Sequence, residues 1–431
     1  MHIAFIESNA VGLGAPAAAK RAGHQVTYIG SQSFAGLIGG LDTVRHPNYT
    51  DRVIEIESTL DEELLYQTLL KLKREEGLAA VLSPLDFTAA VVARVARRLE
   101  LPGTNPDAVA LAQDKAACRQ RLADNGIRSV GFAVVEDLAA ALREAERLGY
   151  PLIAKPKRGC ASIDAAKIRK PEDFEPYFAA LDQDLGMPSG VERVLSRGET
   201  LIEQFAEGPM FSAEIAAGGG EHKVMAITWR KRCTDDPFVE LGSVVPAPVS
   251  ERTANELGEY AVSVVRCLGL DVGIFHVEVI YGPKGPVLVE VNPRIMGGNV
   301  PIAFRLATDV DPFSLLVDIH LTGKLPNAAK TVRPVRGAVT RSIAPSHVCK
   351  VREDLAPDWT QPFRPQLAYW NARFAPGQSV PRTDATFCPN HFQLVKNTSL
   401  EASLFAEWVI GISAKETGLP LRQSGEDYYG L

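Results

Sequence analysis

The segment from Gly273 to Gly298, GIFHVEVIYGPKGPVLVEVNPRIMGG, predicts a β-hairpin with one apolar face and one ionisable face. Side chains alternate between the two faces of a strand, so every second residue of each strand points the same way. The predicted apolar face carries Val277, Val279, Tyr281, Val287, Val289 and Val291. The predicted polar face carries His276, Glu278, Ile280, Leu288, Glu290, Asn292 and Arg294. The hairpin is therefore expected to cover a hydrophobic core.

The two glutamates of this hairpin are expected to face each other. A turn centred on Lys284 places Glu278 directly across from Glu290, and cross-strand neighbours lie about 4.5–5.5 Å apart, where like charges repel. A hard divalent cation between the carboxylates removes the repulsion, and the side-chain oxygen of Asn292 is a suitable further ligand. The alternative is a solvated hairpin whose acids pair with Arg294. The valines on the reverse face argue against that alternative.

Composition limits the classes of partner. The chain has 431 residues, which predicts about three domains. Its net charge is −6 and its longest basic run is Arg230-Lys231-Arg232, so neither nucleic acid nor an anionic membrane is expected as a partner. The N-terminal stretch is not typical of a signal peptide, and no apolar run is long enough to span a bilayer. The six cysteines lack a framework spacing, which favours reduced thiols in the cytoplasm.

The first hundred residues predict a parallel sheet with crossover helices. The predicted strands are 2–7, 25–30 and 79–83, and the predicted helices are 15–22 and 86–99. Gly12-x-Gly14-x-x-Ala17 matches a dinucleotide-binding pattern, but Gly30-Ser31-Gln32 stands where a ribose-binding acid is required. We therefore interpret the glycines as a tight strand-to-helix turn that lines a substrate site.

Beyond residue 100 the patterns predict an α+β arrangement. The predicted helices are 105–125, 137–149, 251–268 and 398–415, and a loop is predicted over 182–199. The strand at 200–205 is predicted to continue through 211–217 and 223–230 in one antiparallel sheet. Proline-rich connections between short strands follow Pro326 and predict a separate α+β module.

Two lysines are candidates for phosphate binding. Lys155 ends an apolar strand and precedes Pro156-Lys157-Arg158-Gly159-Cys160-Ala161-Ser162. A lysine next to a loop of small residues can bind phosphate oxygens with its ammonium group and with backbone N–H groups. Lys115 is a second candidate, although a lysine on an amphipathic helix is commonly solvated. The strand Leu201-Ile-Glu203-Gln-Phe205 offers a backbone edge for a flat heterocycle, or it is an ordinary sheet strand.

Five motifs therefore follow one another along the chain. They are Lys115, Leu152-Ile-Ala-Lys155-Pro, Ile202-Glu203-Gln-Phe205, Phe275-His-Val-Glu278 and Val289-Glu290-Val-Asn292-Pro-Arg294. This order resembles the ATP-grasp superfamily and, within it, the carboxylate–amine ligases of the L-amino acid ligase (dipeptide synthetase) type. The segment Phe238-Val-Glu240-Leu-Gly242-Ser243-Val-Val-Pro246 resembles a motif of that branch.

The resemblance covers essentially the whole chain and implies a multi-domain α/β and α+β protein with the ATP-grasp fold. It implies an N-terminal Rossmann-like parallel-sheet domain over 1–112 and an ATP-grasp domain over 113–325. A small nucleotide-lid subdomain would span about 140–205, and a C-terminal α+β domain would span 326–431.

The resemblance also implies the nucleotide and metal contacts. Lys115, Lys155 and Ser162 of the 159–162 loop would contact the ATP phosphates, and Glu203, Gln204 and Phe205 would hold adenine. Glu278, Glu290 and Asn292 would bind Mg²⁺, as two ions that Mn²⁺ can replace. Relatives often place a ribose-binding glutamate where this chain has Met210, so either Glu207 or Glu214 is expected to replace it, or the ribose is held differently.

The substrate contacts follow in the same way. Arg294 would stabilise the transferring phosphoryl group and the acyl phosphate, and Gly297 and Gly298 would let the backbone approach the substrate carboxylate. Glu240 is the candidate for holding the amine or accepting its proton. Ser243 stands where this branch often has a substrate-orienting histidine. Pocket-lining residues are expected in 12–17, 229–243 and 294–305.

The implied reaction is ATP-dependent amide formation between a small-molecule carboxylate, such as an amino acid, and an amine or second amino acid. ADP and phosphate leave through an acyl-phosphate intermediate. Two alternatives stay open: an ATP-grasp carboxylase or an enzyme that passes its acyl group to a carrier thiol, and a nucleotide-binding module without turnover. Dimers are common among such relatives, which leaves a homodimer open.

Overall fold

The computed structural model describes residues 1–159, 163–181, 199–384 and 390–425. Ser162, Cys160 and Cys388 lie outside these ranges. The helices are α1 Gly14–Arg21, α2 Gln32–Ala35, α3 Glu62–Glu76, α4 Asp86–Arg98, α5 Pro106–Gln113, α6 Lys115–Asp124, α7 Leu138–Leu148, α8 Phe174–Leu181, α9 Glu251–Leu268, α10 Val300–Thr308, α11 Pro312–Thr322, α12 Asn327–Thr331 and α13 Ser399–Thr417. Within the described ranges, no helix is both long enough and apolar enough to cross a bilayer.

The N-terminal strands form a parallel sheet, as the sequence predicts. Its strands are β1 His2–Ile6, β2 Gln25–Gly30, β3 Arg52–Glu55 and β4 Leu78–Leu82, in the spatial order β3-β2-β1-β4. The sequence analysis missed β3, because its four residues RVIE begin and end with a charged residue and show too little alternation to mark a strand. The sheet packs against α10 and α11 through a core that includes Phe5, Phe304 and Leu316.

The glycine-containing turn before α1 is tight for a steric reason. A Cβ atom on Gly14 would come within 2.3 Å of the Phe313 ring, and one on Gly12 would come within 2.7 Å of Ser8 Oγ. The glycines therefore allow α1 to approach α11 closely, which supports a structural turn rather than a dinucleotide site. Gly14 also lines a surface cavity with Arg305 and Asn299.

A small antiparallel sheet follows. Its strands are β5 Phe132–Val135, β6 Leu152–Pro156, β7 Ala166–Ile168 and β8 Thr200–Gln204, in the order β5-β8-β6-β7. The helices α7 and α8 pack against it. The prediction that the 200–205 strand shares a sheet with the two strands after it was wrong. The chain leaves this sheet after Gln204, and Gly208, at φ 136°, passes so close to the Tyr281 carbonyl that a Cβ atom would lie 2.3 Å from it.

The central sheet has eight antiparallel strands. They are β9 Met210–Gly218, β10 Glu221–Arg232, β11 Glu240–Val245, β12 Gly273–Gly282, β13 Gly285–Asn292, β14 Gly337–Ser342, β16 Leu367–Trp370 and β18 His391–Lys396, and a separate two-stranded ribbon pairs β15 Cys349–Lys350 with β17 Ser379–Val380. The order is β13-β12-β9-β10-β11-β14-β18-β16. Strands that follow Pro326 in the sequence therefore extend the sheet that begins with the β12–β13 hairpin.

Two helical patterns had different outcomes. The helix predicted over 251–268 is confirmed as α9, which starts at the Ser250 cap and ends before Gly269 in a left-handed conformation. The helix predicted over 105–125 is instead two helices. Asp114 adopts an extended conformation, and its carboxylate accepts a hydrogen bond from the Ala117 backbone N–H at 3.0 Å, which starts α6. Lys115 thus lies at the first position of a new helix.

Candidate active site

The hairpin pairs its two glutamates as predicted, but by a different route. Glu278 lies directly opposite Glu290. The turn is not centred on Lys284, because Gly282 pairs with Gly285 across a two-residue loop. A β-bulge between Glu278 and Val279 leaves Val289 as an extra residue on β13 and shifts the register by one. The bulge therefore achieves the pairing that an odd-numbered loop would have given.

The bulge also changes which side chains face the core. Leu288, which the alternation assigned to the polar face, is buried with Val277, Val279 and Val291. The carbonyl oxygen of the bulged Val289 accepts a hydrogen bond from Arg119 Nη2 at 2.9 Å. This irregular point of the hairpin is thus tied to helix α6.

The two hairpin acids differ in their surroundings. Glu278 is 9% exposed and its Oε1 lies 3.5 Å from Arg230 Nη1 and 3.3 Å from His276 Nε2. Burial raises the pKa of Glu278, but His276 and Arg230 outweigh it and lower that pKa below its usual range. Glu290 is more accessible, and its Oε2 lies 3.5 Å from Lys115 Nζ. The burial of Glu278 excludes the fully solvated hairpin considered as the alternative.

The opposite wall presents a buried cluster of charges centred on Glu203. Its two carboxylate oxygens each lie 2.7 Å from a cation, Oε1 from Arg119 Nε and Oε2 from Lys155 Nζ. Burial disfavours the charged form, but Arg119 and Lys155 lower the pKa of Glu203 to about 2. Burial lowers the pKa of Lys155 below its usual range, and the Glu203 carboxylate reduces this shift. The Glu203 carboxylate therefore positions Lys155 in the cavity.

The adenine contacts expected from β8 need correction. The strand lies between β5 and β6, so Glu203 pairs with Phe132 on one side and with Ile153 on the other, and β8 offers no free edge. The side chain of Gln204 accepts from Gly131 N and donates to Leu148 O. The N–H of Phe205 donates to Pro151 O, and its ring lies under Lys167 Nζ at 3.5 Å from the centroid.

Lys115 is not a solvated lysine. Its Nζ donates to the Gly159 carbonyl oxygen at 2.6 Å, and its backbone N–H donates to Lys157 O. Lys157 in turn pairs with Glu199 and Asp114. These contacts hold the segment after Lys155 against the start of α6.

A cavity of about 140 Å³ between the two antiparallel sheets brings most of the predicted residues together. Its lining includes the predicted residues Lys115, Lys155, Glu203, Gln204, Phe205, Met210, Glu278 and Glu290. Its lining also includes Arg119, Arg232 and Phe238, which the sequence analysis did not assign. Arg119 could have been found, because it lies four residues after Lys115 and so on the same face of α6.

Met210 lies at the position where relatives often have a ribose-binding glutamate. Met210 lines the cavity, and its Sδ lies 3.1 Å from Arg232 Nε. The prediction of Glu214 as an ATP contact was wrong. Glu214 is completely buried, and its carboxylate accepts hydrogen bonds from His276 Nδ1 at 2.8 Å and from the hydroxyls of Ser212 and Thr228.

Arg294 lies beside a second cavity, which its partners Asp86 and Asn292 line and which adjoins the first through Lys115 and Glu290. Its Nε donates to Asp86 Oδ2 at 2.5 Å and its Nη2 to Asn292 Oδ1 at 3.3 Å. A Cβ atom on Gly297 would lie 3.1 Å from Arg294 Nη1, so this glycine makes room for the guanidinium. Gly298 adopts φ 55°, the left-handed region that glycine tolerates best.

Glu240 and Ser243 do not reach either cavity. Arg230 binds both carboxylate oxygens of Glu240, with Nε at 2.9 Å from Oε1, and Ser243 Oγ donates to the same Oε1 at 2.9 Å. Burial opposes ionisation, but Arg230 lowers the pKa of Glu240. A carboxylate held in this way is a weak proton acceptor, so this geometry does not favour Glu240 as the base, and that assignment stays a prediction. Ser243 is 1% exposed, and the structure does not support its predicted contact with substrate.

The donor set of the hairpin fits Mg²⁺. Glu278, Glu290 and Asn292 offer hard oxygen atoms on neighbouring positions of two paired strands. Mg²⁺ is commonly held by one or two carboxylates together with substrate phosphates and water, rather than by an all-protein cage. The described residues contain no group of three or more His, Cys, Asp or Glu side chains that could hold a metal by themselves. The remaining ligands would have to come from a bound nucleotide.

Comparison with known proteins agrees with this geometry. Family profiles match an ATP-grasp domain over residues 148–301 and an ATP-grasp N-terminal domain over residues 17–103. The structure of an L-amino acid ligase from Bacillus licheniformis superposes with a TM-score of 0.75 at 21% identity, covering 95% of this chain and 96% of that one. The chain belongs to the ATP-grasp superfamily.

Two curated relatives are similar in sequence over part of their length. The protein y4rH of Sinorhizobium fredii is 29% identical over 273 residues, which cover 63% of this chain and 54% of that protein. The alanine–anticapsin ligase of Bacillus amyloliquefaciens is 25% identical over 279 residues, which cover 61% of this chain and 58% of the ligase. The match therefore spans little more than half of each relative.

Proposed function

We propose that this protein is an ATP-dependent carboxylate–amine ligase that joins an amino acid to an amine or a second amino acid. The observation that carries the proposal is the placement of Glu278 opposite Glu290 in a cavity that Lys115 and Lys155 also line. Two cations and two paired acids around one cavity match the charges of a nucleotide triphosphate and its metal ion. ADP and phosphate are the proposed products.

The proposed reaction has two steps. A substrate carboxylate oxygen attacks the γ-phosphorus of ATP, the bond to the bridging oxygen breaks, and ADP leaves an acyl phosphate. The neutral amine then attacks the acyl carbon, the bond from that carbon to the phosphate oxygen breaks, and phosphate leaves with the proton that the nitrogen loses. Phosphoryl transfer depends on positioning and charge neutralisation more than on covalent help from the protein.

Residues of this chain can supply both the positioning and the charge neutralisation. Lys155, fixed by Glu203, and Lys115, fixed by Gly159, would bind the phosphates. Arg294 would contact the transferred group from beside the adjoining cavity, where Asp86 orients its guanidinium. Mg²⁺, or Mn²⁺ in its place, would neutralise phosphate charge while held by Glu278, Glu290 and Asn292. The walls of the cavity would limit the access of water to the acyl phosphate.

The relatives favour an amino acid as the carboxylate substrate. One is named an alanine–anticapsin ligase, and the protein with the similar structure is named an L-amino acid ligase. Both names describe ligases, which favours amide formation over a binding module without turnover. We propose that the enzyme acts on small molecules in the cytoplasm.

The test is phosphate release from ATP and Mg²⁺ with a panel of amino-acid pairs. Release is expected only when both a carboxylate and an amine are present, and it should fall strongly in Glu290→Gln. Glu259→Gln, on the exposed side of α9, is the matched control and should leave the rate unchanged. Pyrophosphate and AMP would contradict the acyl-phosphate route. Bicarbonate-dependent ADP formation, or an acyl group bound to a carrier thiol, would contradict the amine as acceptor.

A further inference from the structure

Helix α13 exposes a row of large apolar side chains. Leu400, Leu404 and Trp408 are 44%, 53% and 45% exposed, and they recur every four residues along one side of the helix. The opposite side packs on the central sheet through Ala402, Ala406 and Val409. A contiguous apolar patch on a soluble protein marks an interaction surface more often than single exposed residues do.

The side chains around this row form a symmetrical pattern about Trp408. Glu401 lies seven residues before Trp408 and Lys415 seven after, and seven residues return to within about 20° of the same direction on a helix. Leu404 and Ile412 lie four residues to either side. Phe405 and Gly411 lie three residues to either side. We call these seven residues the α13 face.

Such a pattern is complementary to itself. If two copies of α13 pack antiparallel about a two-fold axis at Trp408, each residue meets the one at the same distance on the other side. Glu401 then meets Lys415, Leu404 meets Ile412, and the Phe405 ring meets the space left by Gly411. Each of these pairings joins opposite charges, two apolar groups, or a large group and a small one. Leu400, at the margin of the row, would lie opposite Glu416 and is not part of the α13 face.

Gly411 has no evident role within the chain. A Cβ atom there would meet no atom within 4 Å, and the residue lies inside a helix. Glycine in a helix interior costs about 1 kcal/mol relative to alanine, so its presence is unfavourable for the isolated fold. The close approach of a second helix accounts for it.

Among the described residues, the charged ends of the α13 face have only local partners. Lys415 Nζ lies 3.9 Å from Glu416, and the Lys415 side chain is 82% exposed. Glu401 accepts a hydrogen bond from the Thr398 N–H as part of the helix cap. Exposed local contacts of this kind are weak, so both side chains can meet a partner across an interface.

We propose that two copies of this chain form a homodimer through the α13 face, with the helices antiparallel and the two-fold axis at Trp408. The α13 face contributes no residue to the nucleotide cavity. The dimer proposal is therefore independent of the proposed function.

The experiment is sedimentation velocity over a concentration series, and charge reversal is its most specific arm. Lys415→Glu and Glu401→Lys should each weaken the dimer, because each homodimer then places like charges opposite each other. A mixture of the two variants should restore it, since both contacts in the mixed dimer join opposite charges. Trp408→Lys should raise the dissociation constant by about 30-fold or more, as for other central aromatic residues in interfaces.

Gly411→Leu distinguishes an effect on the dimer interface from an effect on the stability of the fold. The substitution should raise the melting temperature of the monomer, because leucine is a better helix former, while it disrupts the dimer by filling the space for Phe405. Val348→Lys, at an exposed apolar residue elsewhere, is the control and should not change the dimer. A wild-type chain that stays monomeric at all concentrations would overturn the proposal. A dimer unaffected by these α13 substitutions would also overturn it.

Discussion

Each of the two walls of the cavity carries a glutamate, and the two glutamates have different surroundings. On the small-sheet side, Glu203 is buried and both of its oxygens are bound, by Arg119 and by Lys155. On the central-sheet side, Glu290 has an exposed fraction of 22% for its side chain and one cation at 3.5 Å. A carboxylate bound closely by two buried cations orients those cations. Glu290 has longer contacts, with Lys115 Nζ at 3.5 Å and Asn292 Nδ2 at 3.3 Å, which a metal ion can replace. Burial and partners thus distinguish Glu203, which positions two cations, from Glu290, the more accessible of the two proposed ligands. Glu278 is buried beside Arg230 and His276 and would have to exchange those contacts for the metal.

The largest expected effect is the loss of stability when Glu203, which positions two cations, is replaced. Glu203→Gln leaves Arg119 and Lys155 buried without their counter-charge, and breaking such a buried pair costs about 3–5 kcal/mol. The free energy of unfolding, measured by urea titration at pH 7, should fall by about that much. A loss below 1 kcal/mol, with activity retained, would contradict the positioning role.

Glu290→Gln should reduce activity strongly and leave stability almost unchanged. Activity should fall by about 100-fold or more, comparable to the removal of one preorganised electrostatic group from an active site. The melting temperature should stay close to that of the wild type, because this side chain is partly solvated and forms no buried ion pair. Initial rates of phosphate release and a thermal melt check both parts. A large loss of stability would place Glu290 in the same class as Glu203.

A third carboxylate extends the comparison, because it is buried beside hydroxyl groups. Glu7 follows β1, and its Oε1 accepts hydrogen bonds from Ser31 N, Ser31 Oγ and Thr59 Oγ1. Burial raises the pKa of Glu7 to about 7. A raised pKa stabilises the fold below the unfolded-state value near 4.5, and this contribution is lost as pH rises through about 7.

Glu7→Gln should therefore reduce the fall in stability as pH increases. The wild type should lose about 1–2 kcal/mol of unfolding free energy between pH 6 and pH 8 through this group, and the variant should lose less. Urea titrations at the two pH values measure the difference. Parallel pH profiles for the two proteins would show that Glu7 is ionised across this range.

The smallest effect is expected at Ser243. Ser243→Ala removes one hydrogen bond to Glu240, which is worth about 1 kcal/mol. Activity should change by less than about threefold, because Ser243 does not line either cavity. A KM increase for one substrate without loss of stability would restore Ser243 as a substrate contact.

The sequence was sufficient where patterns are local. Helix α9 was predicted to the residue. The facing of Glu278 and Glu290 was also predicted, although from a turn centred on Lys284 that the structure replaces with a two-residue loop and a bulge. The order of the lysine and glutamate motifs was enough to identify the superfamily.

What the sequence could not show depends on contacts between distant segments. The bulge at Val289 is tied to Arg119, which is 170 positions away in the chain. The pairing of Glu240 with Arg230, and the burial of Glu214 against His276, depend on how four strands are ordered in the sheet. Periodicity reports the direction of a side chain, but it does not report the partner that the side chain meets.

The central claim is that Glu278 and Glu290 together hold the metal ion of a bound nucleotide. Crystals grown with Mn²⁺ and ADP test it directly through the anomalous signal of manganese. A manganese peak within coordination distance of both carboxylates is the predicted result. A peak elsewhere, with Glu278 still paired to Arg230 and Glu290 to Lys115, would contradict the account.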